Sequence, residues 1–434
     1  MHKKTYTLDV IPRTQHDISR QDLDPNALKV LLRLNKAGFD AYLVGGCIRD
    51  ILLGFEPKDF DIATNARPEQ VRKLFNNCRL VGRRFRLAHI LFHKDIIEVA
   101  TLRGHHQDAS PHAKINQSGR VLRDNVYGSI DEDAERRDFT VNAIYYDIKD
   151  DSLRCLSQTV DDLNSRVIRL IGDPKTRYKE DPVRMLRAVR FANKLDMKLD
   201  TKTAQPIKKL APLLQDIHPS RLYDEVAKLM FTGYAQNNTQ MLQKYKLFEH
   251  LFPLLTSQVQ AKAHNRTQKA LSHIVERLDQ ESASGKRISH STFYSQILWF
   301  PLLERIDDIR TESSLSQFDA MNVAMSDIFE QHNKSASIPK RCSNIIREVW
   351  LLQLRFEKNK NIRAFKIEEH LYFEKALELL KFRTQVEDKK LLSTLKWWQD
   401  FTQADQAKKK SMAQQHNKKR RYKKRSSKKD AASS

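Results

Sequence analysis

LVGGCIRDILLG at residues 43–54 and KDFD at residues 58–61 are the two stretches that decide the fold of this chain. The apolar start of the first stretch predicts a short strand, Gly45-Gly46 predicts a turn, and the residues that follow predict a helix that ends at Gly54. Without Cβ atoms, the two glycines let backbone N–H groups approach an anion at the start of that helix. A glycine pair is equally typical of a plain tight turn.

Asp59 and Asp61 are candidate ligands for a divalent cation. Their spacing, within a strand predicted over residues 59–63, places both carboxylates on one face. Mg²⁺ prefers oxygen ligands and is typically bound by one or two carboxylates together with substrate phosphates. Glu98, in a second β-rich segment at residues 96–101, is a candidate third acid. The alternative is that these acids face solvent at the edge of a sheet.

Arg136-Arg137-Asp138, with Asn142 four residues after the aspartate, is the second candidate site. Guanidinium groups bind the oxygens of a triphosphate in a bidentate geometry. Asp138 and Asn142 offer an acceptor and an amide that can hold a ribose or align the arginines. A salt-bridge patch on the surface is the alternative.

Asp181 and Arg184 are the third candidate site. Asp181 is a typical helix N-cap, and Pro182 suits the first position of a helix. The two charged residues are three positions apart and therefore share one helix face. A carboxylate beside a guanidinium can contact the edge of a base, and the same pair can equally be a cap and a helix salt bridge.

The pattern of apolar residues divides the chain in two. Residues up to about 150 mix short strands and helices, including a hairpin at residues 89–101 and a polar loop at 104–127 that we expect to be flexible. After residue 160, apolar residues recur at i, i+3 and i+4, which predicts helices. The clearest helices are predicted over residues 181–195, 203–214, 220–231, 240–248 and 345–356.

The composition excludes several classes of protein. The chain has 434 residues, a net charge of +23, 11 glycines and 13 prolines. No apolar run approaches the roughly 20 residues of a membrane-spanning helix, which excludes an integral membrane protein. The low glycine and proline content disfavours a collagen-like or globally disordered chain. Four scattered cysteines predict free thiols. Residues 1–7 lack an apolar signal-peptide core, so we expect a cytoplasmic protein.

The positive charge is concentrated at the C-terminus. Residues 408–434 hold twelve Lys or Arg residues and one acid, which is +11 of the total +23. This composition predicts a disordered tail. We expect the tail to bind RNA phosphates independently of sequence and with a strong salt dependence, and a solubilising tail is the alternative. The candidate RNA-binding residues are Lys418, Lys419, Arg420, Arg421, Lys423, Lys424 and Arg425.

Taken together and in order, these segments resemble the class II nucleotidyltransferases, the family of bacterial poly(A) polymerases and CCA-adding enzymes. The resemblance covers roughly residues 40–230, and its ordered set of motifs is specific. Segments 57–66, 77–89 and 337–341 and the basic tail are similar to the poly(A) polymerase branch. The matching motifs are residues 43–54, 59–61, 98–103, 136–143, 161–163, 167–169, 180–187 and 219–222.

The resemblance implies an α/β nucleotidyltransferase head of the polymerase-β superfamily, followed by all-α neck and body domains and a disordered basic C-terminal tail. We expect an extended leader at residues 1–24 and the catalytic head at 25–160. The neck, which would bind RNA and nucleotide, is expected at 161–235, the body at 236–405 and the tail at 406–434.

The resemblance also implies roles for individual residues. Asp59 and Asp61 match the acids that bind two Mg²⁺ ions, and Glu98 matches a third acid of related enzymes. Asp138 matches an acid that is often counted with the catalytic aspartates. The remaining matches imply nucleotide binding. The residues implied at the triphosphate are Gly45, Gly46 and Arg49, and those implied at the incoming base are Asp181 and Arg184. The residues implied elsewhere in the nucleotide site are Arg136, Arg137, Asn142 and Arg187.

The expected reaction is the untemplated transfer of AMP from ATP to the 3′ ends of RNA, including mRNA and small RNA, with two Mg²⁺ ions. We expect this tailing to promote RNA decay together with RNA-decay proteins. A CCA-adding enzyme, which uses CTP and ATP on a tRNA primer, is the alternative within the family. A non-catalytic RNA-binding protein is the alternative from another class, although the intact acid pair argues against it.

Overall fold

The computed structural model of this protein describes most of the chain, which divides into two compact units, Met1–Leu214 and Gln215–Ser434. The predicted neck at 161–235 extends across the boundary between these units, so the division into head, neck and body stays a prediction. The described residues are 7–82, 86–104, 113–115, 121–124, 126–260, 264–358, 360–388 and 390–414.

The first unit is built on a mixed β-sheet. The strands of this unit are β1 (Asp9–Ile11), β2 (Ala41–Val44), β3 (Asp61–Thr64), β4 (Cys78–Val81), β5 (Leu87–Phe92), β6 (Asp95–Thr101), β7 (Ala113–Ile115), β8 (Val121–Asp124), β9 (Ile144–Asp147), β10 (Ser152–Cys155), β11 (Val167–Ile168) and β12 (Lys198–Leu199). Within the described residues, the main sheet has the order β1-β10-β9-β2-β3-β6-β5-β4. In that sheet β3 and β6 are parallel neighbours, and β2 and β3 are antiparallel.

Helices surround this sheet and continue beyond it. They are α1 (Pro25–Lys36), α2 (Gly46–Leu52), α3 (Pro68–Leu74), α4 (Ile130–Arg136), α5 (Thr159–Asn164), α6 (Pro174–Glu180), α7 (Val183–Lys194), α8 (Thr201–Ala204) and α9 (Ile207–Leu210). Helix α1 illustrates their local signals. Asp24 Oδ1 accepts the Ala27 N–H at 2.8 Å. Val30 and Leu34 are fully buried, and Gly38 follows the helix with φ +83°.

The strand predicted over residues 59–63 begins later than expected, because β3 starts at Asp61. Val44, the last residue of β2, is the partner of Asp61. Gly45 has φ +81° and turns the chain from β2 into α2. Asp59 therefore has no partner on β2. The prediction that both acids lie within one strand is wrong, and Asp59 lies two residues before the start of β3.

Two further predictions of local structure differ from the fold. The segment 104–127, predicted as a flexible loop, contains β7 and β8, which pair with each other. The helix predicted over 203–214 is broken into α8, α9 and a 3-10 turn. Pro206 causes the first break, because a proline has no N–H to donate within a helix.

The second unit is helical throughout its described residues. Its helices are α10 (Pro219–Met230), α11 (Ala235–Lys244), α12 (Phe248–Leu251), α13 (Pro253–Gln260), α14 (His264–Ala283), α15 (His290–Ile297), α16 (Trp299–Glu312), α17 (Gln317–Asn333), α18 (Lys340–Lys358), α19 (Arg363–Glu368), α20 (Phe373–Val386) and α21 (Leu391–Gln403). Its core is aromatic. Trp350 and Trp398 are fully buried, and the ring of Phe356 packs against Trp398 with centroids 4.9 Å apart.

The start of the predicted disordered tail is ordered. Residues 406–414 form a helical segment. Ala413 is 2% exposed, and Lys409 Nζ lies 2.6 Å from Glu368 Oε1. The prediction that disorder begins at residue 406 is therefore wrong, because this segment buries an apolar side chain and has an acidic partner. The candidate RNA-binding residues of 418–425 lie outside the described residues.

The cysteines and the hydropathy agree with the sequence-based expectations. Cys47, Cys78, Cys155 and Cys342 are all free thiols. Of the helices in the described part of the chain, none is long and apolar enough to cross a membrane.

Candidate active site

Asp61 is positioned by two neighbouring strands. It pairs with Val44 of β2 and, in parallel register, with Glu98 of β6. Partial desolvation, followed by the negative charges of Glu98 and Asp59, raises the pKa of Asp61 to about 6, although the charge of Arg137 opposes this. The residue remains exposed at the start of β3. Desolvation is the largest of these causes, and the two neighbouring acids add to it.

Glu98 is the acid opposite Asp61, and it has a partner of its own. Its Oε1 lies 3.2 Å from Nε2 of His89. His89 and Glu98 are register partners on β5 and β6. The Glu98 side chain is 42% exposed, so it remains accessible from solvent while the imidazole holds it in place.

The carboxylates around Asp61 fit a hard divalent cation. The charges of Glu98 and Asp59 both act on Asp61, and carboxylate oxygens are the ligands that Mg²⁺ prefers. Among the described residues, no group of three or more His, Cys, Asp or Glu side chains is arranged to hold a metal ion. The metal-binding role of Glu98 stays a prediction.

A buried chain of polar contacts joins α2 to the second motif. Arg49 Nε donates to Asp50 Oδ1 at 2.8 Å, and Arg49 Nη1 donates to Asn142 Oδ1. The Asn142 amide in turn donates to Asp138 Oδ1 at 3.0 Å. Arg49 is 3% exposed. The Arg49 guanidinium, which the resemblance placed at a triphosphate, therefore forms hydrogen bonds inside the head. A role of Arg49 at the triphosphate stays a prediction.

Asp138 is anchored from α7 by Arg187. The Arg187 Nε donates to Asp138 Oδ2 at 2.6 Å. Burial alone would raise the pKa of Asp138, but Arg187, Asn142 and the Phe139 N–H outweigh it and lower the pKa to about 2. The Arg187 guanidinium also lies 5.1 Å from the centre of the Phe191 ring. Asp138 is thus ionised at neutral pH and links the second motif to α7.

Arg137 lies beside the glycine turn. A Cβ added at Gly45 would lie 3.3 Å from Arg137 Nη1. Arg137 Nε donates to Asp133 Oδ2 at 3.1 Å and to the Tyr145 hydroxyl at 2.8 Å. Burial would lower the pKa of Arg137, but Tyr145 and Asp133 raise it. Because its charge also acts on Asp61, Arg137 is a fixed cation next to the acid cluster.

Arg177 holds the backbone of the tandem arginines. Its Nη2 donates to the carbonyls of Arg136 and Arg137, both at 2.8 Å. These carbonyls end α4, where a cation offsets the partial negative charge of a helix C-terminus. Arg136 itself donates to the carbonyl of Gly104.

The predicted cap and salt bridge of Asp181 and Arg184 are wrong in detail. Helix α7 begins at Val183 with Pro182 at the N-cap position, and no side chain caps it. Asp181 ends α6, and its Oδ1 accepts the Val183 N–H at 3.3 Å. Arg184 Nη1 donates to Glu180 Oε2 at 3.0 Å and to the carbonyl of Arg177 at 2.8 Å. The acid that pairs with Arg184 is therefore Glu180. A contact of Asp181 and Arg184 with a base stays a prediction.

Several residues of this site were missed in the sequence. They are His89, Asp133, Arg177 and Phe191. No local pattern distinguishes Arg177 or His89, because their partners come from other elements. Phe191 carried a weak signal, since it lies four residues after Arg187 and therefore on the same face of α7.

A mixed sheet with acids on its parallel strand pair and helices after it is the architecture of a nucleotidyltransferase head of the polymerase-β type. Three family models match the chain in agreement with this class. "Poly A polymerase head domain" matches residues 41–169. "Probable RNA and SrmB- binding site of polymerase A" matches residues 196–259, and "Polymerase A arginine-rich C-terminus" matches residues 313–431.

Known proteins refine this class. Poly(A) polymerase I of Salmonella typhimurium is 47% identical over 409 residues, which cover 93% of this chain and 88% of that protein. The CCA-adding enzyme of Limosilactobacillus reuteri is 38% identical over 204 residues, 47% of this chain and 49% of that protein. A crystal structure of the Bacillus stearothermophilus CCA-adding enzyme in complex with CTP matches with a TM-score of 0.56 and 25% identity, covering 86% of this chain and 83% of that one. This chain belongs to the bacterial poly(A) polymerase I family and is a nucleotidyltransferase.

Proposed function

We propose that this chain transfers AMP from ATP to the 3′ hydroxyl of RNA without a template and releases pyrophosphate. The observation that carries the proposal is the register of Asp61 against Glu98, which places two acids side by side on neighbouring strands in a chain of the poly(A) polymerase I family. Asp59 and Asp61 are the residues that would hold Mg²⁺. Two bound ions would lower the pKa of the 3′ hydroxyl and neutralise charge on the departing pyrophosphate.

The arginines and Asp138 act by fixing positions. Arg137 is held by Asp133 and Tyr145 and presents its charge beside Asp61. Arg187 keeps Asp138 ionised and donates a hydrogen bond to it, which fixes the position of the second motif relative to α7. Preorganised charges of this kind do not need to reorganise as charge develops during reaction. Asp181 and Arg184 are proposed to contact the incoming base.

The wider role is also part of this proposal. We propose that the substrates are the 3′ ends of mRNA and small RNA, that tailing promotes their decay together with RNA-decay proteins, and that the chain acts in the cytoplasm. The basic residues of 418–425 are proposed to hold RNA of any sequence. Support comes from the net charge of +23 and from the match to an arginine-rich C-terminal family model.

The test is an assay of the purified chain with a short RNA oligonucleotide or a tRNA that lacks CCA, supplied with one nucleoside triphosphate at a time. Long tails formed from ATP alone on either primer are expected. A CCA end formed from CTP and ATP on tRNA alone would instead establish the CCA-adding activity, which the similarity to CCA-adding enzymes keeps as the second candidate. If no nucleotide is incorporated, the remaining candidate is a non-catalytic RNA-binding protein.

A further inference from the structure

The second unit contains a cavity of about 460 Å³ that is lined from α10, from α12 and α13, and from the end of α17. The apolar part of its lining is formed by Leu222, Pro253 and Leu254, and Leu222 is 1% exposed. Cavities that hold small molecules typically measure about 300–1,000 Å³ and are mostly apolar, with a few polar groups. This cavity is therefore large enough for one planar ring system.

Polar groups surround the apolar part of the cavity. Gln215, His250 and Gln331 line it, and Gln215 Nε2 lies 3.3 Å from His250 Nδ1. Burial lowers the pKa of His250, although the charge of Glu249 opposes this, so the ring is neutral at neutral pH. A neutral imidazole and an amide each offer both a hydrogen-bond donor and an acceptor. The edges of nucleobases carry the same mixture of donors and acceptors.

Lys334 supplies a cation to the lining of the cavity. It is the C-cap residue of α17 and follows Gln331 by three positions, so the two side chains share one side of the helix. Lys334 is exposed and has no ion pair within the part of the chain that the structure describes. No acid is among the described residues that line the cavity. The lining therefore favours a ligand that carries negative charge.

A nucleotide combines the three properties that this lining selects, which are a planar ring system, hydrogen-bonding edges and a phosphate. In single-stranded RNA the bases can be splayed out and bound one at a time by side chains. Proteins that bind single strands combine cations for the backbone with surfaces for the bases. The cavity offers both within one unit of the chain.

We propose that this cavity binds one nucleotide of single-stranded RNA, with the base against Leu222 and Leu254 and the phosphate at Lys334. The assignment rests on the proposed action of the chain on RNA. It adds a contact that depends on a base to the binding proposed for the basic tail, which depends on phosphates alone. Such a contact also favours a single strand over a duplex, in which the bases are already paired and stacked.

The test measures the affinity of the full chain for a labelled single-stranded RNA of adenosines at constant salt. In a series of further RNAs, one adenosine at a time is replaced by an abasic residue. Lys334→Met removes the ammonium group, and Gln331→Glu adds a negative charge to the lining. The matched controls are Lys366→Met on α19 and Gln243→Glu on α11, both at exposed positions. The Tm of each protein is measured as well, because a lysine at the end of a helix also offsets its partial negative charge.

At one position of the RNA, an abasic residue should weaken binding to the unmodified chain by about tenfold, since one base in contact with protein contributes about that much. Lys334→Met and Gln331→Glu should each weaken binding of the intact RNA by about tenfold. Both variants should also make the effect of the abasic residue smaller. The two control variants should behave as the unmodified chain does.

An equal effect of the abasic residue in the unmodified chain and in both cavity variants would overturn the proposal. A loss of affinity in Lys334→Met without an effect of any abasic residue would also overturn it, by reducing Lys334 to a phosphate contact. Equal losses in the control variants would overturn it too, because the effect would then follow net charge. A chain that shows the expected effect of the abasic residue but incorporates no AMP would support the cavity and contradict the proposed function.

Discussion

Asp61 and Glu98 are register partners on the parallel strands β3 and β6. Like charges on neighbouring strands disfavour the folded state unless a cation lies between them. Desolvation, followed by the charges of Glu98 and Asp59, raises the pKa of Asp61. The folded sheet therefore contains an unfavourable interaction between two carboxylates at the point where a divalent cation and a triphosphate are expected to bind.

Asp61→Asn should abolish AMP incorporation and yet slightly raise the Tm in a metal-free buffer. Because the pKa of Asp61 is about 6 in the folded chain and lower in an unfolded one, the ionised carboxylate disfavours folding at neutral pH. Both effects are checked by measuring Tm in EDTA and AMP incorporation in Mg²⁺. Asp95→Asn, on the exposed start of β6, is the control and should change neither. Retained turnover in Asp61→Asn would refute its role as a metal ligand.

Asp59→Ala should also abolish AMP incorporation while RNA binding is retained. Asp59 precedes β3 and is exposed, so its removal should leave the free energy of unfolding within about 0.5 kcal/mol of that of the unmodified chain. Incorporation and RNA affinity are measured in parallel on the same preparation. Loss of RNA affinity together with activity would indicate a structural role in place of a metal-binding one.

Asp138→Asn and Arg187→Leu should each destabilise the first unit by about 2–3 kcal/mol, since each leaves a partly buried charge without its partner. The double variant should lose clearly less than the sum of the two, because the pair is removed together. Denaturant unfolding of all four proteins, the unmodified chain included, measures this coupling.

The pair of Asp138 and Arg187 should also lose its contribution to stability in acid. The pKa of Asp138 is about 2 in the folded chain, below its unfolded value, so this stability falls as pH decreases from about 4 toward 2. Additive effects would contradict a direct interaction.

Gly128→Ala should destabilise the first unit by about 1–3 kcal/mol. A Cβ at Gly128 would lie 2.6 Å from the backbone nitrogen of Gly104, and backbone atoms cannot yield as a side chain can. The carbonyl of Gly104 is also the acceptor for Arg136, so AMP incorporation should fall as well. Circular dichroism during heating measures the loss of stability. AMP incorporation at a temperature where the variant is folded measures the loss of activity separately. An unchanged Tm would show that the two glycines can move apart.

His332→Phe should make the second unit less sensitive to acid. His332 is fully buried, stacks on Phe252 with ring centroids 6.1 Å apart, and neither ring nitrogen has a hydrogen-bond partner among the described residues. Burial lowers the pKa of His332 to about 4.

The direction of this effect follows from the two pKa values. The unfolded histidine binds a proton near pH 6.5, while the folded one stays neutral until about pH 4, so the unmodified chain loses stability as pH falls from 6.5 to 4. This loss is roughly 3 kcal/mol at most. The Tm of both proteins is measured at pH 7.5 and pH 5. Equal losses in the two proteins would show that His332 does not titrate in this way.

Truncation after residue 414 should weaken RNA binding without removing AMP incorporation at saturating RNA. This cut keeps the helical segment that buries Ala413 and removes nine Lys or Arg residues and one acid. The slope of log affinity against log salt should fall by up to roughly six, at about 0.7 per phosphate contact on single strands. An unchanged slope would contradict the role of the tail in RNA binding.

Much of the fold was predictable from local patterns. Helix α1 and strand β2 begin and end where a cap, an apolar run and a glycine predict them. These signals act over a few residues and are therefore present in the sequence itself. The start of β3 was mispredicted because it depends on β2, which leaves the sheet at Gly45.

Local patterns are sufficient to recognise a basic, mixed α/β and helical protein with acids and arginines in an ordered set of motifs. Which of those charges lie together depends on the fold. Arg49 and Asn142 are 93 residues apart in the chain, and Arg187 and Asp138 are 49 apart. A buried charge must find a partner wherever the fold brings one, and that partner has no fixed spacing in sequence. For this reason Arg49, whose motif the resemblance placed at a triphosphate, has its hydrogen-bond partners inside the protein.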